Sequence, residues 1–309
     1  MAKKKMSNAD IAEIVTAKAI NSLKEGVPPW QKPWNGYTQG PLSLTTGKPY
    51  RGWNSVWLDF IGQSNGYSSP FWATIKTINS KKGKVKKGSK SEYAIYYKML
   101  IVEDKQQPAE DGGYLTAHIP LLRYFPVYNL DQTEGVEVPE EMIPKKAGRP
   151  VAVLKGVQAV LDDYIDGPEI THRAGDKAFY MPATDKITLP ERKQFKSAAY
   201  YAETMFHELV HSTGHDSRLN RFTKAAPFGC ETYAKEELVA QIGAAMLATR
   251  YNVKVDWDNT PAYLASWLKA LEDDHQLLLR AASKATAAID HIMGIDYSAE
   301  VSEESLQAA

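Results

Sequence analysis

The chain is predicted to be an α+β protein of two modules, and three observations carry that prediction. Residues 1–100 hold 16 Lys and Arg against 5 Asp and Glu, whereas residues 151–309 hold 16 against 23. A net charge of zero over 309 residues therefore hides a basic half beside an acidic one, the pattern of two modules with different partners. The first half mixes strand-like and helical segments, while the second is dominated by long helical ones. Between them, residues 131–150 carry Glu134, Glu137, Glu140, Glu141 and prolines at 139, 144 and 150 without any period, the composition of a linker. The expected division is thus 1–130, a mixed α/β module; 131–150, a linker; 151–295, a second module; and 296–309, an acidic tail without order.

Each element follows from its own pattern. Ile11, Ile14, Val15, Ala19 and Leu23 form a helical stripe, with Asn8 or Ser7 as cap and Gly26 as stop. Pro28, Pro29 and Pro33 forbid a helix between Val27 and Trp34. A turn-rich stretch from Gly40 to Gly52 precedes an apolar segment from Trp53 to Ile61, and Phe71–Asn79 reads as helical. Glu92–Ile101 and Leu121–Tyr128 read as strands, separated by a polar loop containing Glu103–Gly113. The second half opens with a helix over Lys155–Asp162 and short strands at Ala178–Met181 and Lys186–Leu189. Helices over Ser197–Thr213, Thr232–Thr249, Pro261–Leu271 and Asp274–Met293 follow.

Several classes are excluded at this level. No run of about 18 apolar residues exists, so a membrane span is not expected. The N-terminal lysines have no apolar core behind them, unlike a secretory signal. Cys230 is the single cysteine, so the chain builds no disulfide framework; a cytoplasmic protein is expected, with Cys230 read as a buried thiol.

Chemistry concentrates at His207-Glu208-Leu209-Val210-His211. Histidines four apart on a helix project from one face and can hold one ion, and Glu208 is placed to act as general base. Ala198, Ala199, Ala202, Phe206, Leu209 and Val210 bury this helix on most sides, and two imidazoles with a carboxylate there are costly unless they share a task. A catalytic ion takes three protein ligands and leaves a position open. Gly214 ends the helix and turns His215 away; a third ligand in the same segment would fall at position 217, which is Ser217, and Asp216 is out of register. A second helix supplies a better one: Glu237, Ala240, Gly243 and Ala244 share a side, small residues allow close approach, and Glu237 points at the ion, with Glu236 the alternative. Two His from one helix and a Glu from another is the gluzincin arrangement, so Zn2+ is the expected ion and Mn2+ a possible substitute. Asp185–Pro190 reads either as a strand edging the cleft, able to pair with an extended peptide, or as an ordinary hairpin strand.

The basic half pairs aromatic rings with cations, which is how single-stranded nucleic acid is bound. Trp30, Trp34, Tyr37, Tyr50, Arg51, Trp53, Trp57 and Trp72 supply rings and charge. Lys81, Lys82, Lys84, Lys86, Lys87 and Lys90 form a run interrupted by Gly83 and Gly88. Singly, tryptophans belong to cores and lysine runs to solvated tips; together, on so basic a segment, they favour single-stranded nucleic acid.

The combination Gly26–Trp34, Thr46–Asn54, Lys86–Lys90, Phe206–His215, Arg218–Arg221 and Tyr233–Ala240 resembles the ArdC family of plasmid antirestriction proteins over nearly the whole chain. The resemblance implies an N-terminal domain that binds single-stranded DNA, drawing Asn54 into that site, and a C-terminal zincin-like metallopeptidase domain. It implies protection of incoming plasmid DNA during conjugation, with a DNA-bound protein as the substrate class. Gln241 stands where members often carry glutamate, which speaks against a ligand role for it.

Overall fold

The computed structural model describes residues 7–30, 40–108, 114–144, 152–222, 231–256 and 261–295. Helix α1 (Asn8–Lys24) starts on a capping box in which Ser7 accepts from Asp10 N and Asp10 accepts from Ser7 N. Strand β1 (Leu42–Ser43) leads to α2 (Trp53–Ser64), so the apolar segment after the turn-rich stretch is helical. Phe71–Asn79 divides: Phe71–Thr74 is strand β2, and α3 (Ile75–Ser80) begins only where Thr74 caps it by accepting from Thr77 N. After β3 (Lys84–Val85), two long strands, β4 (Glu92–Pro108) and β5 (Tyr114–Asn129), form an antiparallel hairpin, longer than its alternating apolar residues alone mark. The sheet order is β1-β2-β5-β4.

The expected linker is corrected over its described part. Thr133–Glu134 is strand β6, antiparallel to β3, with Val85 opposite Thr133. Val136, Val138 and Met142 pack on a small cluster of Leu42, Leu44, Phe71, Ala73 and Ile78. Residues 131–144 therefore close the first module, because single apolar residues spaced among the glutamates find a core that composition does not announce. Residues 145–150 and the tail 296–309 lie outside the described residues, as do Trp34, Tyr37 and Cys230.

The second module comprises α4 (Val153–Asp163), β7 (Glu169–Arg173), β8 (Phe179–Met181), β9 (Lys186–Pro190), α5 (Ala198–Ser212), α6 (Glu231–Arg250), α7 (Pro261–Asp273) and α8 (Leu277–Ile292). Its sheet order is β7-β9-β8, β7 parallel and β8 antiparallel to the middle strand. Strand β9 is thus central, so the expectation that Asp185–Pro190 edges a cleft is corrected. Strand β7, too polar to register as a strand, pairs with β9 along its whole length, and β8 provides the edge on the other side.

The modules do not sit apart. One hydrophobic cluster runs from Ala12, Val15 and Ala19 of α1 through Trp53 and Trp57 of α2 to Leu271 of α7 and Ile289 of α8. Trp30 meets Trp267 edge to face at 5.3 Å. Thr16 donates to the His275 carbonyl at 2.6 Å, and Gly52 N donates to Thr286 Oγ1 at 3.0 Å. Among the described residues no helix is long and apolar enough to cross a membrane.

Candidate metal centre

Helix α5 begins on Ser197, whose hydroxyl accepts from Tyr200 N, and it is enclosed by α4, α6, α8, β8 and β9. Tyr201, Met205, Phe206, Leu209 and Val210 are buried around its circumference, which leaves the His207–His211 stripe to face α6. Gly243 of α6 lies against Val210: a Cβ there would come within 2.7 Å of Val210 Cγ2. The small residues singled out on α6 thus do what their spacing suggests, letting two backbones approach so that side chains one helix apart can meet. Gly214 follows the helix for a steric reason. Its φ is not positive, but a Cβ would strike the Phe222 ring at 2.7 Å.

The three predicted ligands converge. His207 Nε2 and His211 Nε2 are 3.0 Å apart, and Glu237 places one carboxylate oxygen 3.3 Å from the first and the other 3.2 Å from the second. Donors bonded at about 2.0–2.1 Å to a tetrahedral ion stand roughly 3.3–3.4 Å from one another. Two imidazole nitrogens and one carboxylate at these separations fit a divalent metal, and His207, His211 and Glu237 are the group of metal-binding geometry found among the described residues. Glu208 is 7% exposed, and its charge is felt at both imidazoles.

The electrostatics describe a site built for positive charge. Burial opposes ionisation of Glu237, yet hydrogen bonds from His207 and His211 outweigh it and hold the carboxyl far below the usual range. Burial likewise disfavours a charged His211, but contacts with Glu236 and Glu237 push it up to about 10. His207 is raised on the same balance, chiefly by Glu237 against burial.

The outer nitrogens of both rings are held by α6, which sequence reasoning missed. His207 Nδ1 lies 3.2 Å from Gln241 Oε1, an acceptor for its N–H. Glu236 lies 3.6 Å from His211 Nδ1 and pairs with Arg221 at 2.7 Å, so it stands behind a ligand. A signal for Gln241 was present: it follows Glu237 by four residues and so shares its face. His215 contacts Ser217 and Asp216 and stays out of the group, as its place beyond the helix end implies.

The residues singled out for nucleic acid divide sharply. Trp30 and Trp53 are each 4% exposed and belong to the core, so their rings cannot stack on a base as expected. Trp57 and Trp72 are buried too, and Tyr50 packs against the core. Asn54 spends its amide on the β4 backbone, donating to Ile95 O at 2.6 Å and accepting from Ile95 N at 2.7 Å. Arg51 is exposed but forms an ion pair with Asp290 of α8. Lys82, Lys84, Lys86, Lys87 and Lys90 are exposed and Lys81 half-exposed, gathered in β3 and the turns on either side of it. Buried tryptophans look like a stacking platform in sequence because ring count does not report exposure.

Comparison with known proteins agrees with this architecture. Residues 9–128 match the family model for the N-terminal domain of anti-restriction factor ArdC, and residues 161–284 match a zincin-like metallopeptidase. The Mn(II)-bound crystal structure of the antirestriction ArdC protein from plasmid R388 is 33% identical, covers 95% of this chain and 100% of that one, and superposes with a TM-score of 0.72. Its metal-free form gives 0.70. Two DNA primases named TraC from Escherichia coli are 37% and 33% identical over 92% and 96% of this chain, which spans 20% and 28% of their lengths. The protein y4eC of Sinorhizobium fredii is 29% identical over 91% of both chains. A match on each half, together with a relative aligned over its whole length at 33% identity, establishes that the chain belongs to the ArdC family of antirestriction proteins.

Proposed function

We propose that the chain is an antirestriction protein that binds single-stranded DNA and carries a zinc-dependent peptidase site directed at DNA-associated proteins. The observation that carries the enzymatic half is the convergence of His207, His211 and Glu237 with Glu208 retained between the two histidines. A purely structural site would fill its fourth position and need no base. His207, His211 and Glu237 would hold the ion, which when bound supplies Lewis acidity to a carbonyl. Glu208, buried and adjacent, takes a proton from an attacking water and delivers it to the leaving amine. Strand β8 offers a backbone edge for an extended peptide, antiparallel to β9. Manganese in the R388 relative supports a divalent ion and leaves zinc as this chain's proposed one on its nitrogen-rich donor set.

The DNA half rests on the exposed lysines between Lys81 and Lys90, which track phosphates without needing the buried tryptophans. The relatives named DNA primases support an association with DNA. The test is Glu208→Ala assayed for protection of incoming DNA, with metal and DNA binding measured alongside. Loss of protection with both bindings intact is the expected result. Full protection would assign the antirestriction effect to DNA coating alone.

A further inference from the structure

We infer that Arg221 is a positioning residue of the metal centre, acting through Glu236 on His211. This rests on the metal-site reading above. Arg221 lies beyond α5, in a loop that contributes none of the three ligands, yet its side chain is only 5% exposed. Its guanidinium donates to Thr213 Oγ1 at 2.6 Å, to the Val210 carbonyl at 2.8 Å and to Glu236 Oε1 at 2.7 Å, with a longer contact from Nε to Glu236 Oε2 at 3.3 Å. One planar group therefore ties the last turn of α5, where His211 sits, to the residue that precedes Glu237 on α6. Fork geometry makes arginine the suitable residue, since a lysine offers a point charge without parallel donors.

The effect on the metal site follows from charge and direction. Glu236 and Glu237 are adjacent carboxylates in the same buried corner, and two unpaired anions there would repel. Arg221 grips Glu236 through two nitrogens of its fork and so fixes that carboxylate in place, 3.6 Å from His211 Nδ1. A carboxylate behind that nitrogen turns His211 Nε2 towards His207 Nε2 and Glu237, and makes the ring a stronger donor. His207 has a neutral counterpart in Gln241, whose Oε1 lies 3.2 Å from its Nδ1, so the two imidazoles are backed by partners of different charge.

The experiment compares wild type, Arg221→Met, Arg221→Lys, Glu236→Gln and the Arg221→Met/Glu236→Gln pair. Zn2+ affinity is measured by chelator competition, and the visible spectrum of the Co2+-loaded protein reports ligand geometry. Arg221→Met is expected to weaken Zn2+ about 10- to 100-fold and alter the Co2+ bands, with Arg221→Lys intermediate. The double variant should lose no more than the worse single one, because both changes break one chain of contacts. Should Arg221→Met fail to fold, Glu236→Gln and Arg221→Lys carry the test through the same affinity and spectrum. Folded variants with lower thermal stability but wild-type Zn2+ affinity and Co2+ spectrum would overturn the inference and leave Arg221 purely structural. Wild type that binds no metal would instead overturn the metal-site reading itself.

Discussion

Gly243→Ala is the most direct probe of how the metal centre is assembled. The new Cβ would lie 2.7 and 2.8 Å from the two Val210 methyls, where ordinary contact begins at 3.4 Å. Val210 is fully buried and cannot swing into solvent, so α6 must withdraw by roughly 0.6–0.7 Å or strain locally, an overpacking cost of about 1–3 kcal/mol. Glu237 rides on the same helix six residues earlier, about 9 Å along its axis, and moves with it. Metal–ligand distances tolerate only about 0.2 Å, so Zn2+ affinity should fall at least tenfold alongside the thermal midpoint. Val210→Ala removes both offending methyls. Alone it costs about 1.6 kcal/mol in lost burial, but combined with Gly243→Ala it should restore metal affinity to within about threefold of wild type. Calorimetry and chelator competition on the four proteins make the comparison. If Gly243→Ala binds metal as tightly as wild type with an unchanged midpoint, helix proximity does not set the ligand geometry.

Three further outcomes are expected. Glu237→Ala or His211→Ala should lower Zn2+ affinity by at least about 100-fold, erasing the rise in melting temperature that metal confers on the wild type; an undiminished rise would remove the residue from the ligand set. His211 is raised from 6.5 to about 10 in the metal-free fold, so its contribution to stability is complete below 6.5 and lost as pH climbs through 10. Metal-free protein should therefore lose thermal stability between pH 7 and 10, and Zn2+ uptake at pH 8 should release about one proton or more. Titration calorimetry in buffers of different ionisation enthalpy reads that release, and a value of zero would contradict a charged ring. Replacing Lys84, Lys87 and Lys90 with glutamine should reduce the salt slope of single-stranded DNA binding by about 2, at roughly 0.7 per phosphate contact. Fluorescence anisotropy across a salt series measures it, and an unchanged slope would place the DNA elsewhere.

Local chemistry made much of this protein legible before any coordinates. The His207–His211 spacing needs only helical periodicity to put both rings on one face, and the small residues beside Glu237 foretell close packing because volume is a property of composition. Charge asymmetry likewise marks the lysine turn, since cations with nothing apolar around them stay in water. Tertiary structure decided what depends on contacts distant in sequence. It paired Val85 with Thr133 and so drew most of the apparent linker into the first module. It also buried Trp30 against Trp267 and Trp53 within the shared core, converting apparent stacking rings into packing. Glu236 and Gln241 acquired their places behind His211 and His207 only once α5 and α6 met. A residue's type and spacing set what it can bind; which neighbour it meets is set by folding, and exposure follows from that meeting.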